Sequence, residues 1–205
     1  MIARNLTLNQ IATHLEQALA LLRQYQDGTG DSAACVNVPY RSQWDTDAGD
    51  FQGDCGPACI AMMLDWTGGP KVAIDALAHE AGITDTRQAT NASDLIRVAV
   101  QHGLRLRQEV LTLDGLREEL RQGRPAVVLV NYAQFGSLRQ DTAYNGTHWC
   151  VVVGFGNGDV MLHDPDHWGD RRLEGNAKQV SVSVFDAAWA STLPNGKPRQ
   201  ALVAS

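Results

Sequence analysis

The apolar residues in the first half of the chain recur in patterns that predict helices. From Cys55 to Trp66 nearly every residue is apolar or small, which is typical of a helix buried on most of its faces. Asp54 is expected to cap this helix, Pro57 is tolerated in its first turn, and the pair Gly68-Gly69 ends it. Helical spacing and closing glycines predict three further helices: 74–81, 94–102 with Ser93 as its cap, and 114–122.

In the second half of the chain the apolar residues form short continuous runs or alternate with polar residues, as is typical of β-strands. Residues 104–110 alternate Leu and Val with Arg and Gln, as in a half-buried strand. A turn at Asn157-Gly158 predicts a hairpin between the apolar segments 148–155 and 160–163. Helices followed by a hairpin-rich sheet predict an α+β fold. The remaining strand candidates are 126–132, 180–184 and 201–203.

The N-terminal segment reads as an appendage to this domain. Thr7 begins a capping box, and apolar residues from Ile11 to Leu22 follow at helical spacing. A short polar, glycine-bearing stretch comes next. We therefore expect an accessory N-terminal helix and linker over residues 1–32 and one domain over 33–205. The apolar stripe of the helix could mediate self-association or pack on that domain.

Composition and charge exclude several classes of protein. The formal charge of −6 over 205 residues argues against a nucleic-acid partner. The chain has no run of about 20 apolar residues that could span a membrane. The N-terminus lacks the pattern of a signal peptide, so a cytoplasmic location without a membrane partner is expected. Four cysteines are too few, in a chain of this length, for a disulfide scaffold.

Cys55 is the first residue whose placement suggests chemistry. It begins the buried helix, where the free backbone amides and the positive end of the helix dipole stabilise a thiolate. Gly56 is expected to leave room for a substrate to approach the sulfur. The alternative is that Cys55 is a buried, inert cysteine.

A thiol nucleophile needs a base, and the base needs an acceptor that orients it. His148 begins an apolar strand, and the hairpin turned at Asn157-Gly158 returns the chain so that Asp164 lies next to it. The Asp164 carboxylate could then accept the proton of the second ring nitrogen. The less specific alternatives are a histidine satisfied at a strand end and a turn-forming Asp-Pro pair.

With these motifs the chain resembles the C39-like peptidases of the papain-like superfamily. The resemblance covers roughly residues 37–166 and implies a papain-like fold, with the nucleophile helix packed on an antiparallel sheet. It implies a cysteine peptidase that cleaves a peptide or related amide bond through a Cys-His-Asp triad and an acyl-enzyme. The segments that carry it are Gln43, Asp54-Cys55-Gly56-Pro57-Ala58-Cys59, Thr147-His148-Trp149-Cys150 and His163-Asp164-Pro165.

The resemblance also implies that Gln43 donates to the oxyanion, together with the backbone amide of Cys55. Gln43 lies 12 residues before Cys55 and Gln52 only three, so Gln52 is the alternative. We prefer Gln43 because it follows the extended segment that leads toward the site. The partner implied is a peptide or protein substrate, and no cofactor or metal is expected.

Other readings of these residues remain open. Cys59 and Cys150 are expected to be small core residues that lie near each other, with a disulfide as the alternative. A zinc site could use Cys55, Cys59, His148 and Cys150, although their spacing is poor for zinc. His163, Asp166 and His167 could form a second metal cluster, but residues at the rim of a substrate groove are the preferred interpretation. A catalytically silent peptide-binding module on the same fold is the competing function.

Overall fold

The computed structural model describes residues 35–45, 53–83, 89–191 and 196–205, together with Leu19. It divides into two units, Met1–Ala33 and Ala34–Ser205, and every described residue except Leu19 belongs to the second. Apart from Leu19, the expected N-terminal helix and linker lie outside the described residues. The accessory helix and its self-association therefore stay predictions.

The long helix that the sequence predicts is present at the predicted bounds. Its residues from Gly56 to Leu64 are all buried, so it packs on nearly every side, as its uniformly apolar sequence requires. None of the described helices is long and apolar enough to cross a membrane. The described α-helices are α1 (Cys55–Trp66), α2 (Ile74–Glu80), α3 (Ala92–Gln101), α4 (Leu113–Arg121) and α5 (Val182–Ala190), with 3-10 helices at Tyr132–Leu138 and Gly169–Gly175.

The start of α3 corrects one expected cap. The side chain of Asn91 accepts a hydrogen bond from the backbone N–H of Asp94 at 3.0 Å, so Asn91 is the cap and the helix begins two residues early. Ser93 lies inside the helix and its hydroxyl donates to Asn91 Oδ1 at 2.6 Å. Asn and Ser are equally good caps, so local preference alone did not separate them.

Among the described residues, six strands form one sheet in which every neighbouring pair is antiparallel, with the order β1-β6-β2-β3-β4-β5. The predicted hairpin joins β3 to β4, and positive φ angles at Asn157 (52°) and Gly158 (81°) match a type I′ turn. The strands are β1 (Leu106–Val110), β2 (Ala126–Asn131), β3 (Thr147–Gly156), β4 (Asp159–His163), β5 (Lys178–Ser181) and β6 (Gln200–Ala204).

The predicted strand over 180–184 is wrong beyond Ser181. The chain turns there into α5, and the Ser181 hydroxyl accepts from the backbone N–H of Val184 at 3.4 Å. Phe185 and Trp189 of this helix are fully buried against the sheet. Burial of these large side chains outweighs the strand preference of the valines at the start of the helix.

In the part of the chain that the structure describes, two hydrophobic clusters pack on the sheet, and successive residues of β3 alternate between them. Trp149, Val151 and Val153 belong to the cluster that includes α1, whereas Cys150 and Val152 belong to the cluster that includes α5. The expected nucleophile helix therefore packs on an antiparallel sheet. This arrangement brings the N-terminus of α1 toward the beginning of β3, where His148 lies.

Candidate active site

Cys55 and His148 line the same pocket, which has a volume of about 620 Å³. Cys55 is the first residue of α1 and is partly exposed, whereas Cys59 one turn later is fully buried. The backbone amides of the first helical turn have no acceptor within the helix. A thiolate or a developing oxyanion at this position would therefore meet unpaired donors.

The reason for a glycine after Cys55 differs from the one expected. A Cβ built on Gly56 would lie 2.2 Å from Thr90 Oγ1 and 3.0 Å from Leu95 Cδ2. Gly56 is buried against the residues around the start of α3. Its missing side chain allows α1 to pack closely on its neighbour, and the expected role in substrate access stays a prediction.

The hairpin places the His148 ring next to Asp164, with Nε2 of the imidazole 2.8 Å from Oδ1 of the carboxylate. The ring also lies 4.2 Å from the Tyr132 ring, measured between centroids. His148 and Asp164 are both buried. Nε2 is held by Asp164, and the Cys150 thiol also hydrogen-bonds to the His148 ring. Nδ1 is the nitrogen that is not held by Asp164.

Both oxygens of the Asp164 carboxylate accept hydrogen bonds. Besides His148, Oδ1 accepts from the backbone N–H of Asp166 at 3.1 Å. Oδ2 accepts from the Tyr132 hydroxyl at 3.2 Å and from Lys178 Nζ at 2.8 Å. Lys178 is itself buried and also contacts the Leu138 carbonyl and, at 2.9 Å, His167 Nε2. The carboxylate is therefore held from several directions.

Sequence reasoning missed Lys178 and Tyr132 as partners of Asp164. One signal was available for Lys178, because β5 alternates buried and exposed residues and the lysine falls on a buried position two residues before Val180. A lysine at such a position needs a partner for its charge. Nothing in the sequence identified Asp164 as that partner.

These contacts set the charges of the pair. Burial opposes ionisation of Asp164, but His148 and Lys178 outweigh it and hold the pKa of the carboxyl well below its usual range. Burial also opposes protonation of His148, whereas the nearby Cys150 sulfur and the Asp164 carboxylate raise the pKa of its ring. Burial raises the pKa of Cys150 to about 11, so at neutral pH Asp164 is the neighbour that carries negative charge.

The loop that carries Asp164 is tied to the segment that carries Gln43. The Gln43 N–H donates to the Pro165 carbonyl at 3.0 Å, and the Tyr40 hydroxyl donates to the Asp164 carbonyl at 3.0 Å. A Cβ on Gly175 would lie 2.2 Å from that same carbonyl oxygen, so only glycine allows the approach. The two segments are therefore fixed relative to each other.

Gln43 also lines the pocket beside Cys55. Its side chain is buried, and its Oε1 atom has no hydrogen-bond partner among the described residues. Gln52, the alternative, lies outside the described residues. The choice of Gln43 therefore stays a prediction.

Asp54 occupies the cap position of α1 but does not cap it. Its side chain makes no hydrogen bond to the first turn, so the expected cap is wrong. Both carboxylate oxygens are buried without a hydrogen-bond partner in the part of the chain that the structure describes. Burial, with a smaller contribution from Asp75, raises the pKa of Asp54 to about 7. The residue directly before Cys55 is thus a carboxyl whose charge is disfavoured.

With this geometry the chain can be compared with known proteins. The model of the Peptidase_C39 like family matches residues 35–193, which is most of the chain. The chain belongs to this family. No curated protein matches it significantly.

Solved C39-like peptidase structures share the fold at low sequence identity. A C39-like peptidase from Bacillus anthracis is 17% identical with a TM-score of 0.59, over 82% of this chain and 94% of that one. The peptidase domain of Streptococcus ComA, a bi-functional ABC transporter, is 21% identical with a TM-score of 0.57, over 82% and 98%. A double glycine motif protease from an AMS/PCAT transporter, in complex with its leader peptide, is 18% identical with a TM-score of 0.54, over 83% and 93%. The predicted papain-like α+β fold is therefore confirmed.

The other thiols of this C39-like chain are free, as all four cysteines are. Cys59 and Cys150 are fully buried core residues of the two different clusters, and they form no disulfide. The ligand atoms of the four residues in the suggested zinc site do not all lie within 4.8 Å of one another. Within the described residues, the one group of potential ligands within 4.8 Å of one another is His148, Cys150 and Asp164.

His163 and His167 are not rim residues, so the preferred interpretation is wrong for both. His163 is buried, with Nε2 donating to the Val38 carbonyl at 2.8 Å and Nδ1 accepting from the Ala177 N–H at 3.0 Å. His167 is buried against Lys178. Asp166 does line the pocket, where its carboxylate accepts from the Trp44 indole N–H at 3.0 Å.

Proposed function

We propose that this member of the C39-like family is a cysteine hydrolase that cleaves a peptide or related amide bond. Cys55 is the nucleophile, His148 the base and Asp164 the residue that orients the base. One observation carries the proposal. A partly exposed thiol at a helix N-terminus shares a pocket with a histidine whose far nitrogen is already held by a carboxylate.

In this mechanism His148 takes the thiol proton and the Cys55 sulfur attacks the substrate carbonyl carbon. The tetrahedral intermediate places its negative oxygen at the Cys55 backbone amide and the Gln43 side chain. Its collapse breaks the C–N bond, while the imidazolium gives its proton to the leaving amine. A water molecule, deprotonated by His148, then hydrolyses the thioester and releases the acid product.

Cys150 is the rival nucleophile because its sulfur lies within 4.8 Å of a His148 nitrogen and an Asp164 oxygen. It is fully buried, and burial raises the pKa of its thiol to about 11. Cys150 is not among the residues that line the pocket, whereas Cys55 is. Substrate access therefore favours Cys55.

A peptide substrate is the class that the family and the pocket favour together. The AMS/PCAT protease of the same fold is known with its leader peptide bound. In our chain the pocket beside Cys55 is large enough for a few residues of an extended chain. A peptide or protein substrate is accordingly the partner that we propose.

Two other functions use the same residues. A silent peptide-binding module would keep the pocket but cleave nothing. A metal-binding protein would use His148, Cys150 and Asp164, yet both Asp164 oxygens already accept hydrogen bonds from protein groups. A catalytic triad leaves the hydrogen bonds to Asp164 in place, whereas a bound metal ion would have to displace some of their donors.

A peptide-library digest read by mass spectrometry tests the proposal with two matched variants. We expect cleavage by the wild type and by Cys150→Ala, and none by Cys55→Ala. Cleavage that survives Cys55→Ala would overturn the assignment. Binding of peptides without cleavage by the wild type would favour the silent module, and stoichiometric zinc by elemental analysis would favour the metal site.

Alkylation of the unmodified wild type gives a second measurement that does not depend on the folding of a variant. Iodoacetamide at neutral pH should label Cys55 before Cys35, Cys59 or Cys150. Cys35 is the informative control, because it is exposed and is not among the residues that line the pocket. Faster labelling of Cys35 than of Cys55 would contradict an activated thiol at position 55.

A further inference from the structure

The pocket that holds Cys55 is also lined by exposed aromatic rings. Trp44 and Trp168 are 37% and 38% exposed, and their ring centroids lie 5.0 Å apart. Tyr144, which is 43% exposed, lines the same pocket. Large aromatic side chains left partly open to solvent at a pocket offer binding surface to a ligand.

Two carboxylates lie among these rings. Asp166 is buried and accepts the Trp44 indole N–H at 3.0 Å. Donation of that N–H to an anion adds electron density to the indole, which makes its face more attractive to a cation. Asp141 also lines the pocket, and its Oδ1 atom accepts the backbone N–H groups of Ala143 and Tyr144 at 2.9 and 3.3 Å.

No lysine or arginine is among the described residues that line the pocket. The basic side chains of neighbouring segments already have partners in the protein. Arg139 donates to Asn145 Oδ1 and the Tyr144 carbonyl, Arg172 pairs with Asp45, and Lys178 pairs with Asp164. Besides the His148 ring, the ionisable side chains of the pocket wall near the aromatic rings include the carboxyls of Asp141 and Asp166, in a chain whose formal charge is −6.

We infer that the pocket selects peptides that carry a lysine or arginine side chain close to the bond that is cleaved. The inference rests on the proposed function for the bond, but it concerns binding. The aliphatic stem of the side chain lies against Trp44 and Trp168, and its charge is balanced by Asp141 and Asp166. An acidic side chain at the same position is disfavoured.

Binding to the Cys55→Ala variant tests this selection without turnover. The probes are fluorescein-labelled hexapeptides of alanine and glycine with a single variable position, which holds lysine, acetyl-lysine or glutamate. Acetyl-lysine keeps the length of lysine and removes its charge. By fluorescence anisotropy we expect about tenfold tighter binding of the lysine peptide than of the acetyl-lysine peptide, and the weakest binding for glutamate.

Second substitutions in the same background locate the effect. Trp168→Leu and Asp141→Asn should each reduce the lysine preference at least threefold. Asn at 141 keeps an oxygen for the two backbone amides, so this change removes charge without removing the turn. Asp114→Asn removes an equal charge from a 91% exposed side chain on α4 and should leave the preference unchanged.

Equal affinity for the three peptides, tighter binding of glutamate, or no binding of any peptide at millimolar concentration would overturn the inference. Cleavage by the wild type is measured separately with the peptide library. Peptide cleavage without a charge preference would sink this inference alone. A preference for the lysine peptide in a protein that cleaves no peptide would refute the proposed function and support the selection for basic side chains.

Discussion

Asp54 and Asp164 are both fully buried, and each lies beside one half of the proposed catalytic pair. Asp54 directly precedes Cys55, and its carboxylate has no hydrogen-bond partner among the described residues. Asp164 lies beside His148 and accepts hydrogen bonds on both oxygens. Burial raises the pKa of Asp54 to about 7, whereas His148 and Lys178 overcome the same burial at Asp164 and lower its pKa.

The difference shows that hydrogen-bond and charge partners, and not the degree of burial, decide whether a buried carboxyl is charged. It also separates two sides of the pocket. On the acid side, Asp164 is held in a network that includes Tyr132 and Lys178. On the nucleophile side, the two carboxylate oxygens of Asp54 and the Oε1 atom of Gln43 lack hydrogen-bond partners among the described residues. The side chains around Asp164 are therefore fixed by hydrogen bonds, while those beside Cys55 have polar atoms that could bind a ligand.

The largest expected effect comes from Asp164→Asn. The change removes the acceptor that orients His148, so kcat should fall by about 10⁴-fold. It also leaves Lys178 buried without its anion, which should cost about 3–5 kcal/mol in the free energy of unfolding. Peptide hydrolysis and urea unfolding measure the two effects. Asp114→Asn is the control, and full activity of Asp164→Asn would show that the acid side has no catalytic role.

Gln43→Ala tests whether the side-chain N–H group of Gln43, which lines the pocket beside Cys55, donates to the oxyanion. Loss of one such donor lowers kcat by about 10²–10³-fold with little change in KM, because the interaction forms in the transition state. Steady-state kinetics measure the split. The exposed Gln101 supplies a matched control through Gln101→Ala. A rise in KM alone would assign Gln43 to substrate binding.

Asp54→Asn tests the cost of the unpartnered carboxyl. A pKa that is raised in the folded state does not lower the free energy of unfolding below about pH 4, near the unfolded-state pKa. The loss is complete above pH 7, near the folded-state pKa of about 7. The variant should therefore gain stability over the wild type as pH rises from 4 to 7, by an amount on the order of 4 kcal/mol. Urea unfolding between pH 4 and 8 measures it. A difference that does not change with pH would mean that Asp54 has a partner.

Lys178→Met should have the smallest effect on activity. Asp164 keeps His148, Tyr132 and the Asp166 amide, so kcat should fall by about 10-fold. Removal of a nearby positive charge should also raise the pKa of His148, which NMR of the imidazole measures. A purely structural role of Lys178 would leave that pKa unchanged. Lys71→Met, at an exposed lysine, is the control. An unchanged His148 pKa would remove Lys178 from the electrostatics of the site.

Much of the site follows from short-range patterns in the sequence. The uniformly apolar segment after Asp54 could only be stable as a buried helix, and it forms α1 at the expected bounds. The turn at Asn157-Gly158 requires positive φ at both residues, which Asn and Gly tolerate, so the hairpin was predictable and with it the contact between His148 and Asp164. The family resemblance rested on these same motifs. Spacing and turn chemistry act over a few residues, and a single sequence displays them directly.

Contacts between distant segments were decided by the tertiary structure. Trp44 donates a hydrogen bond to Asp166, 122 residues later in the sequence, and the position of Thr90 requires glycine at 56. No local sequence pattern indicates either contact. Residues 182–190 form a helix because Phe185 and Trp189 find a buried place against the sheet. Lys178 becomes the counter-charge of Asp164 only when β5 pairs with β4. By itself the sequence determined the elements and the Cys-His-Asp candidates, and packing decided which charges are paired and which remain open to a ligand.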